Sequence, residues 1–429
     1  MALLTLGGSV GRGGANASAD VRTLKDRLIA LGFDWLPADD KADAALESTI
    51  DLVQSIVRGR ETVQGDGRVD VPGTTYDWLR ASNAPGWQTM PAGGAAGDGF
   101  VNFELTDTRD HHDFGTSWLA LTIQTAGRYY RDDYLASHAG GAVITVNDAS
   151  LPRGGDTPDH HGHETGLACD FRLPRSDGTA PGGTSHTSAT YDRDATRAML
   201  KAFRHQPHVT RIYFNDRALI NEGLCAHAGG HDDHFHVGIE PLAPLSGYDA
   251  GYDALFDRAI AAFGGTVTAP GGFPMTLDGF QDYLDAVTVA HFSAREMLTP
   301  HHQDVATALG FDKFLPPHDW WLRGAALALI ADELRNLVGE PVVLRNWWRP
   351  KLYNAQVDGA GESDHITAHG VDLDYRSAAS RRRAEQRLRE LYSGEEWLQL
   401  SLGLGNLTTH VGILSPGRRR EWHYDSYVP

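Results

Sequence analysis

Over the first eighty residues, apolar positions recur every three or four places. In DVRTLKDRLIAL (20–31), Val21, Leu24, Leu28 and Leu31 share one helical face, with Ser18 and Asp20 as candidate caps and Gly32 as a stop. ALESTIDLVQSIVRG sets Leu46, Ile50, Val53 and Val57 on a second face, and TTYDWLRA follows the turn-rich QGDGRVDVPG. The pattern predicts a small three-helix unit over 1–85. Beyond it the period shortens. VITVND, RIYFND and PVVLRNWW alternate as half-buried strands do, and they are interleaved with helical runs such as WLRGAALALIADELRNLVG. Stretches rich in Pro, Gly and Ala at 83–99 and 263–274 read as linkers. The expected fold class is α+β: the helical unit, then two α+β units at 98–245 and 272–429 with antiparallel sheets.

The same alternation phases the polar groups. In HGHETGLACDFRLP, Cys169, Phe171 and Leu173 face one way while Asp170 projects from the polar face, seven positions after His163. In HDDHFHVGIE, His234, His236 and Gly238 share a face. The third unit repeats the order: in SDHITAHGVDLDY, His365 precedes Asp372 by seven, and REWHYD sets Glu421, His423 and Asp425 on one face with Trp422 and Tyr424 on the other. Two histidines and one carboxylate form a usual catalytic zinc set that leaves a fourth position for water. The reading therefore assigns one zinc ion to His163, Asp170 and His236, and another to His365, Asp372 and His423. His234 and Glu421 are the candidate bases. Arg349, and His231 with Arg153, are the candidates for stabilising an oxyanion.

Composition narrows the partners. With 41% apolar and 22% charged residues, the chain of 429 is that of a globular protein with several cores. A net charge of -18 disfavours nucleic acid and anionic membrane surfaces as partners. No run of 18 apolar residues occurs, and MALLTLGGSVGRGG lacks the basic and apolar regions of a secretory signal. Two cysteines, Cys169 and Cys225, are too few for a disulfide framework and leave a single bridge open; Cys169, on the apolar face, reads as core filler.

The order H-x6-D followed by H-x-H resembles the peptidoglycan metallopeptidases grouped with lysostaphin and the D-alanyl-D-alanine carboxypeptidases. In the middle unit, NDASLPRGGDTPDHHGHETGLACDFRLP and HDDHFHVGIE look like the penicillin-insensitive murein endopeptidase family, including His160 and His231, each three before a singled-out histidine. The resemblance implies zinc on His163, Asp170 and His236, with His234 and His231 assisting, and cleavage of D-alanyl cross-links in stem peptides. The third unit is similar to the M15 peptidases. There, Arg349 and Ser363 fall where the family has a substrate-contacting Arg and a supporting Ser, and HFSAREML (291–298) resembles the family's opening. It departs from the pattern at Ala368, where Gly is usual, at Gly370, where Ala is usual, and at Glu421, where His is common. The first unit resembles a three-helix peptidoglycan-binding domain, the alternative being a helical cap on a catalytic unit.

Taken together, these features imply a zinc peptidase acting on the wall or in the periplasm, a D,D-endopeptidase in the middle unit and an endo- or carboxypeptidase in the third. Without a signal, delivery would use a contractile secretion apparatus, with an immunity protein as a second partner, or phage-type lysis. Two other classes stay open: a zinc-containing wall-binding protein in which one or both sites do not turn over, and a cytoplasmic dipeptidase.

Overall fold

The computed structural model describes residues 4–107, 111–157, 162–245, 252–415 and 419–427. The architecture is α+β, and the chain divides into two compact units, Met1–Ala250 and Gly251–Pro429.

In the first unit the three helices form as the periodicity requires, over Ser18–Ala30, Ala44–Val57 and Thr74–Arg80. Val21, Leu24, Leu28, Leu46, Ile50 and Val53 are all buried between them. Asp43 caps the second helix by accepting the Leu46 N–H at 2.9 Å. Asp20 does not cap the first; its carboxylate instead accepts the N–H groups of Gly7 and Gly8.

The stretch at 83–99 is not a slack linker. Trp87–Thr89 pairs antiparallel with Phe114–Thr116, and Trp87, 3% exposed, donates its indole N–H to the Pro152 carbonyl at 2.9 Å. One large aromatic outweighs the surrounding Gly and Pro. The helical part is also tied to the loop around His163. Val63 N–H donates to Glu164 Oε2 at 2.7 Å, Thr165 Oγ1 donates to the Arg60 carbonyl at 2.7 Å, and Arg211 pairs with Glu61 at 3.0 Å. Residues 1–85 and 98–245 accordingly lie in one compact unit.

The core of that unit is a five-stranded sheet built from β1 (Phe100–Asn102), β2 (Ile144–Val146), β3 (Ala168–Arg172), β4 (Val209–Tyr213) and β5 (His234–Ile239). Its order is β1-β2-β3-β5-β4. All neighbours are antiparallel except the edge pair β1 and β2. Phe171 and Phe235 lie opposite each other across β3 and β5, their rings 5.1 Å apart, and Phe203 from helix Arg193–Arg204 closes on Phe171 at 4.6 Å. This aromatic layer fills the apolar face, so the alternate residues Asp170, His234 and His236 emerge together on the other.

The second unit has a sheet of the same design. Its strands are β6 (Val343–Arg345), β7 (Gly370–Asp374), β8 (Ser401–Leu404), β9 (Thr408–Gly412) and β10 (Arg420–His423), in the order β6-β7-β9-β8-β10. Only the edge pair β8 and β10 is parallel. The sheets are thus mixed, not purely antiparallel. Val371, Leu373, Val411, Leu402 and Leu404 are buried, with helix His318–Val338 against β7 and helix Ala378–Gly394 against β9. Helix Tyr252–Ala262, upstream of the stretch at 263–274, packs on His318–Val338 and so belongs to this unit.

Cys169 and Cys225 are both buried, unpaired thiols. Among the described residues no helix is long and apolar enough to cross a membrane.

Candidate metal centres

Two buried groups could hold a metal ion: His163, Asp170 and His236 in the first unit, and His365, Asp372 and His410 in the second. They are built alike. Asp170 on β3 faces His236 on β5 in direct register, and Asp372 on β7 faces His410 on β9 in the same way. The first histidine of each group lies in the loop before the aspartate strand, its Nδ1 against a main-chain carbonyl: Ala149 at 2.9 Å from His163, and Trp347 at 3.3 Å from His365. An Nδ1–H donated to that carbonyl leaves the Nε2 lone pair free for a metal.

The three inward atoms are the same in both groups, namely Nε2, Oδ1 and Nδ1. In the first, His163 Nε2 is 3.3 Å from His236 Nδ1 and 3.5 Å from Asp170 Oδ1, and His236 Nδ1 is 2.8 Å from that oxygen. In the second, Asp372 Oδ1 is 3.3 Å from His365 Nε2 and 3.0 Å from His410 Nδ1. Ligand atoms around a tetrahedral zinc ion, with bonds of about 2.0–2.1 Å, stand roughly 3.3 Å apart. The donor sets fit such an ion. Among the described residues neither group gains a fourth protein ligand.

The electrostatics suit a cation. Burial opposes ionisation of Asp170, but the charge and hydrogen bonds of His163, with His236, hold its carboxyl well below the usual range. Asp372 is held down in the same way by His365 and His410. Burial lowers His365, with the Arg349 charge adding to it. Burial also works against charge on His410, yet hydrogen bonds to Asp364 and Asp372 raise it to about 9.

His410 takes the place the sequence reading gave to His423. On β10, Trp422 turns its ring to His410 at 5.1 Å and Arg420 Nη2 donates to Asp364 at 2.7 Å. Neither Glu421 nor His423 joins the three donor atoms: Glu421 pairs with Arg389 at 2.8 Å at the edge of the cleft, and His423, half exposed, stacks on Tyr427. The strand exists, but its phase is inverted, which moves every side chain to the other face. One signal pointed to His410. The tetrapeptide HVGI at 236–239 recurs at 410–413, in the same phase relative to the ligand.

The other singled-out residues divide as follows. His234 and His231 stand beside the first group, with their rings 5.0 Å apart; His234 Nε2 is 3.6 Å from Asp170 Oδ2, and His231 is 5.6 Å from His236 ring to ring. Tyr213, opposite His236 on β4 and stacked on it at 5.7 Å, was not singled out by sequence. Arg153 is exposed on the turn after Ser150, and His160 lies outside the described residues. In the second unit, Arg349 Nη2 donates to Asp372 Oδ2 at 2.9 Å, and Ser363 Oγ accepts the His365 N–H at 3.3 Å. Both line a cleft of about 750 Å³ with the three ligands, Arg420, Glu421, Trp422 and Tyr424. No family model and no curated protein matches the chain.

The loops before the two aspartate strands also share a left-handed residue three places after the first histidine, Gly166 at φ 62° and Ala368 at φ 56°. A Cβ is disfavoured there by roughly 1–2 kcal/mol, offset in part by the chain entropy of Gly. Ala368→Gly should therefore stabilise the second unit by up to about 1 kcal/mol, read as a higher denaturant midpoint. A lower midpoint would show that the Ala methyl packs favourably.

Proposed function

We propose that the chain is a zinc-dependent peptidase of bacterial cell wall, with the first unit as its hydrolytic centre acting on peptidoglycan stem peptides. The observation that carries this is the three-donor group of His163, Asp170 and His236 with two further imidazoles beside it. Three protein ligands are the mark of a catalytic rather than a structural zinc site. When bound, zinc would polarise the scissile carbonyl and acidify a water molecule.

The protein's own groups handle the protons. His234 Nδ1–H donates to Asp233 at 3.0 Å, which leaves Nε2 as the proton acceptor and lets Asp233 steady the imidazolium that results. Burial lowers the pKa of His231, and its Nδ1 lies 3.0 Å from the Gly229 carbonyl, so its Nε2 is a second acceptor. This geometry favours proton relay over oxyanion binding for His231. The sequence resemblance supports peptidoglycan as substrate, and tandem metal groups beside helices that resemble a wall-binding domain support delivery to the periplasm or wall by a contractile apparatus or phage-type lysis.

The second unit supports a different role. The residues two and three further back from its last ligand, at the places of His234 and His231, are Thr408 and Gly405, and Glu421 is engaged by Arg389. A last ligand without histidines at those two places, in a cleft of about 750 Å³, favours holding wall peptide there, the binding-module class. The test is mass spectrometry of sacculi treated with zinc-loaded protein. Release of uncross-linked muropeptides is expected, and treatment with a strong chelator should abolish it. Zinc-loaded protein that releases none would refute the hydrolytic reading for this substrate.

A further inference from the structure

The two metal groups differ in what stands behind the second histidine. Asp364, immediately before the ligand His365, is 3% exposed. Its Oδ2 lies 3.0 Å from His410 Nε2, and its Oδ1 accepts Arg420 Nη2 at 2.7 Å. The backbone is cut away to admit this contact. Gly370 and Gly412 face each other across β7 and β9. A Cβ on Gly370 would lie 2.6 Å from His410 Cε1, and one on Gly412 would lie 2.5 Å from Asp364 Oδ2. In the first unit the residue before His163 is Gly162, which has no side chain to offer, and the place of Gly370 is held by Ala168.

We propose that Asp364 is a positioning residue for the second metal centre, a buried carboxylate that fixes the tautomer and ring orientation of His410. With Nε2–H donated to Asp364, the Nδ1 lone pair is directed at the site shared with His365 and Asp372. Arg420 Nη2, donating to Oδ1 at 2.7 Å, holds the carboxylate in place. A carboxylate behind a metal-bound histidine typically contributes about 10- to 100-fold in metal affinity. The inference rests on the metal reading above and adds an asymmetry: the second site depends on a brace that, among the described residues, the first lacks.

The full chain carries its own control. Zinc-loaded wild type, Asp364→Ala, Asp364→Asn and Gly412→Ala would be titrated with a chromophoric chelator, and bound zinc per chain counted. Asp364→Ala should weaken one of two ions by about 10- to 100-fold and leave the other unchanged. Asp364→Asn, which keeps an acceptor for His410, should fall between. Gly412→Ala, which crowds Asp364 off the imidazole from a different residue, should weaken the same ion. The ion held by the first unit is the internal reference for the titration, and an unchanged unfolding transition of the second unit shows that the part around Asp364 is folded. Two ions bound with wild-type affinity in Asp364→Ala would overturn the brace while leaving the metal reading intact. A wild type that takes up no zinc would overturn both.

Discussion

On the proposed peptidase reading, His234→Ala should lower hydrolytic turnover by about 10²- to 10⁴-fold while the metal content stays that of wild type. The two halves of that expectation come from one distance pattern. His234 Nε2 sits 3.6 Å from Asp170 Oδ2, close enough to receive a proton from a water at the same centre, yet outside the trio of ligand atoms. Replacing a ligand would remove the ion and the activity together and would say nothing about proton transfer. Replacing His234 separates them. Unchanged turnover with two ions bound would show that the proton leaves by another route, with His231 the next group to test, since its ring is 5.0 Å away. His234→Ala activity that vanishes along with one ion would instead make His234 a ligand.

His410→Ala should reduce bound zinc from two ions per chain to one, whereas His423→Ala should leave two. His410 supplies one of three donor atoms, so its removal should weaken binding by well over the roughly 10- to 100-fold that outer partners contribute. His423 is half exposed and stacks on Tyr427, on the far face of β10. The opposite result, loss of an ion with His423→Ala and none with His410→Ala, would restore the ligand set read from the sequence and place β10 in the opposite phase.

Those two experiments fall where sequence reading succeeded and where it failed. Asp170 and His236 were legible because each sits in a strand whose apolar neighbours, Cys169 and Phe171, Phe235 and Val237, fix the phase. Their facing positions follow once the strands pair. The seven-residue offset from His163 marked the loop that returns to the strand. REWHYD misled because its aromatic residues imitate an apolar face, when Trp422 in fact turns toward the ligands. His410 was obscured for the opposite reason. It stands alone among Thr409, Val411 and Ile413, all buried, and a single histidine in such a strand draws no attention without its partner strand. The stretch at 83–99 was read by composition, which weighs Gly and Pro and is blind to a buried Trp87. Asp364 could not be assigned a role from sequence, since the hydrogen bond to His410 spans 46 residues.

The contacts of Arg60 and Val63 with the His163 loop also bear on where the chain can be cut into working pieces. Here the joint near residue 90 is crossed by a hydrogen bond onto Glu164, the residue next to a metal ligand, and by another from Thr165. A fragment that begins after residue 90 loses both bonds and leaves the loop beside His163 without these anchors. The boundary near Ala250 is different, because a complete three-donor group lies on each side of it. A cut there leaves each three-donor group whole on its own piece.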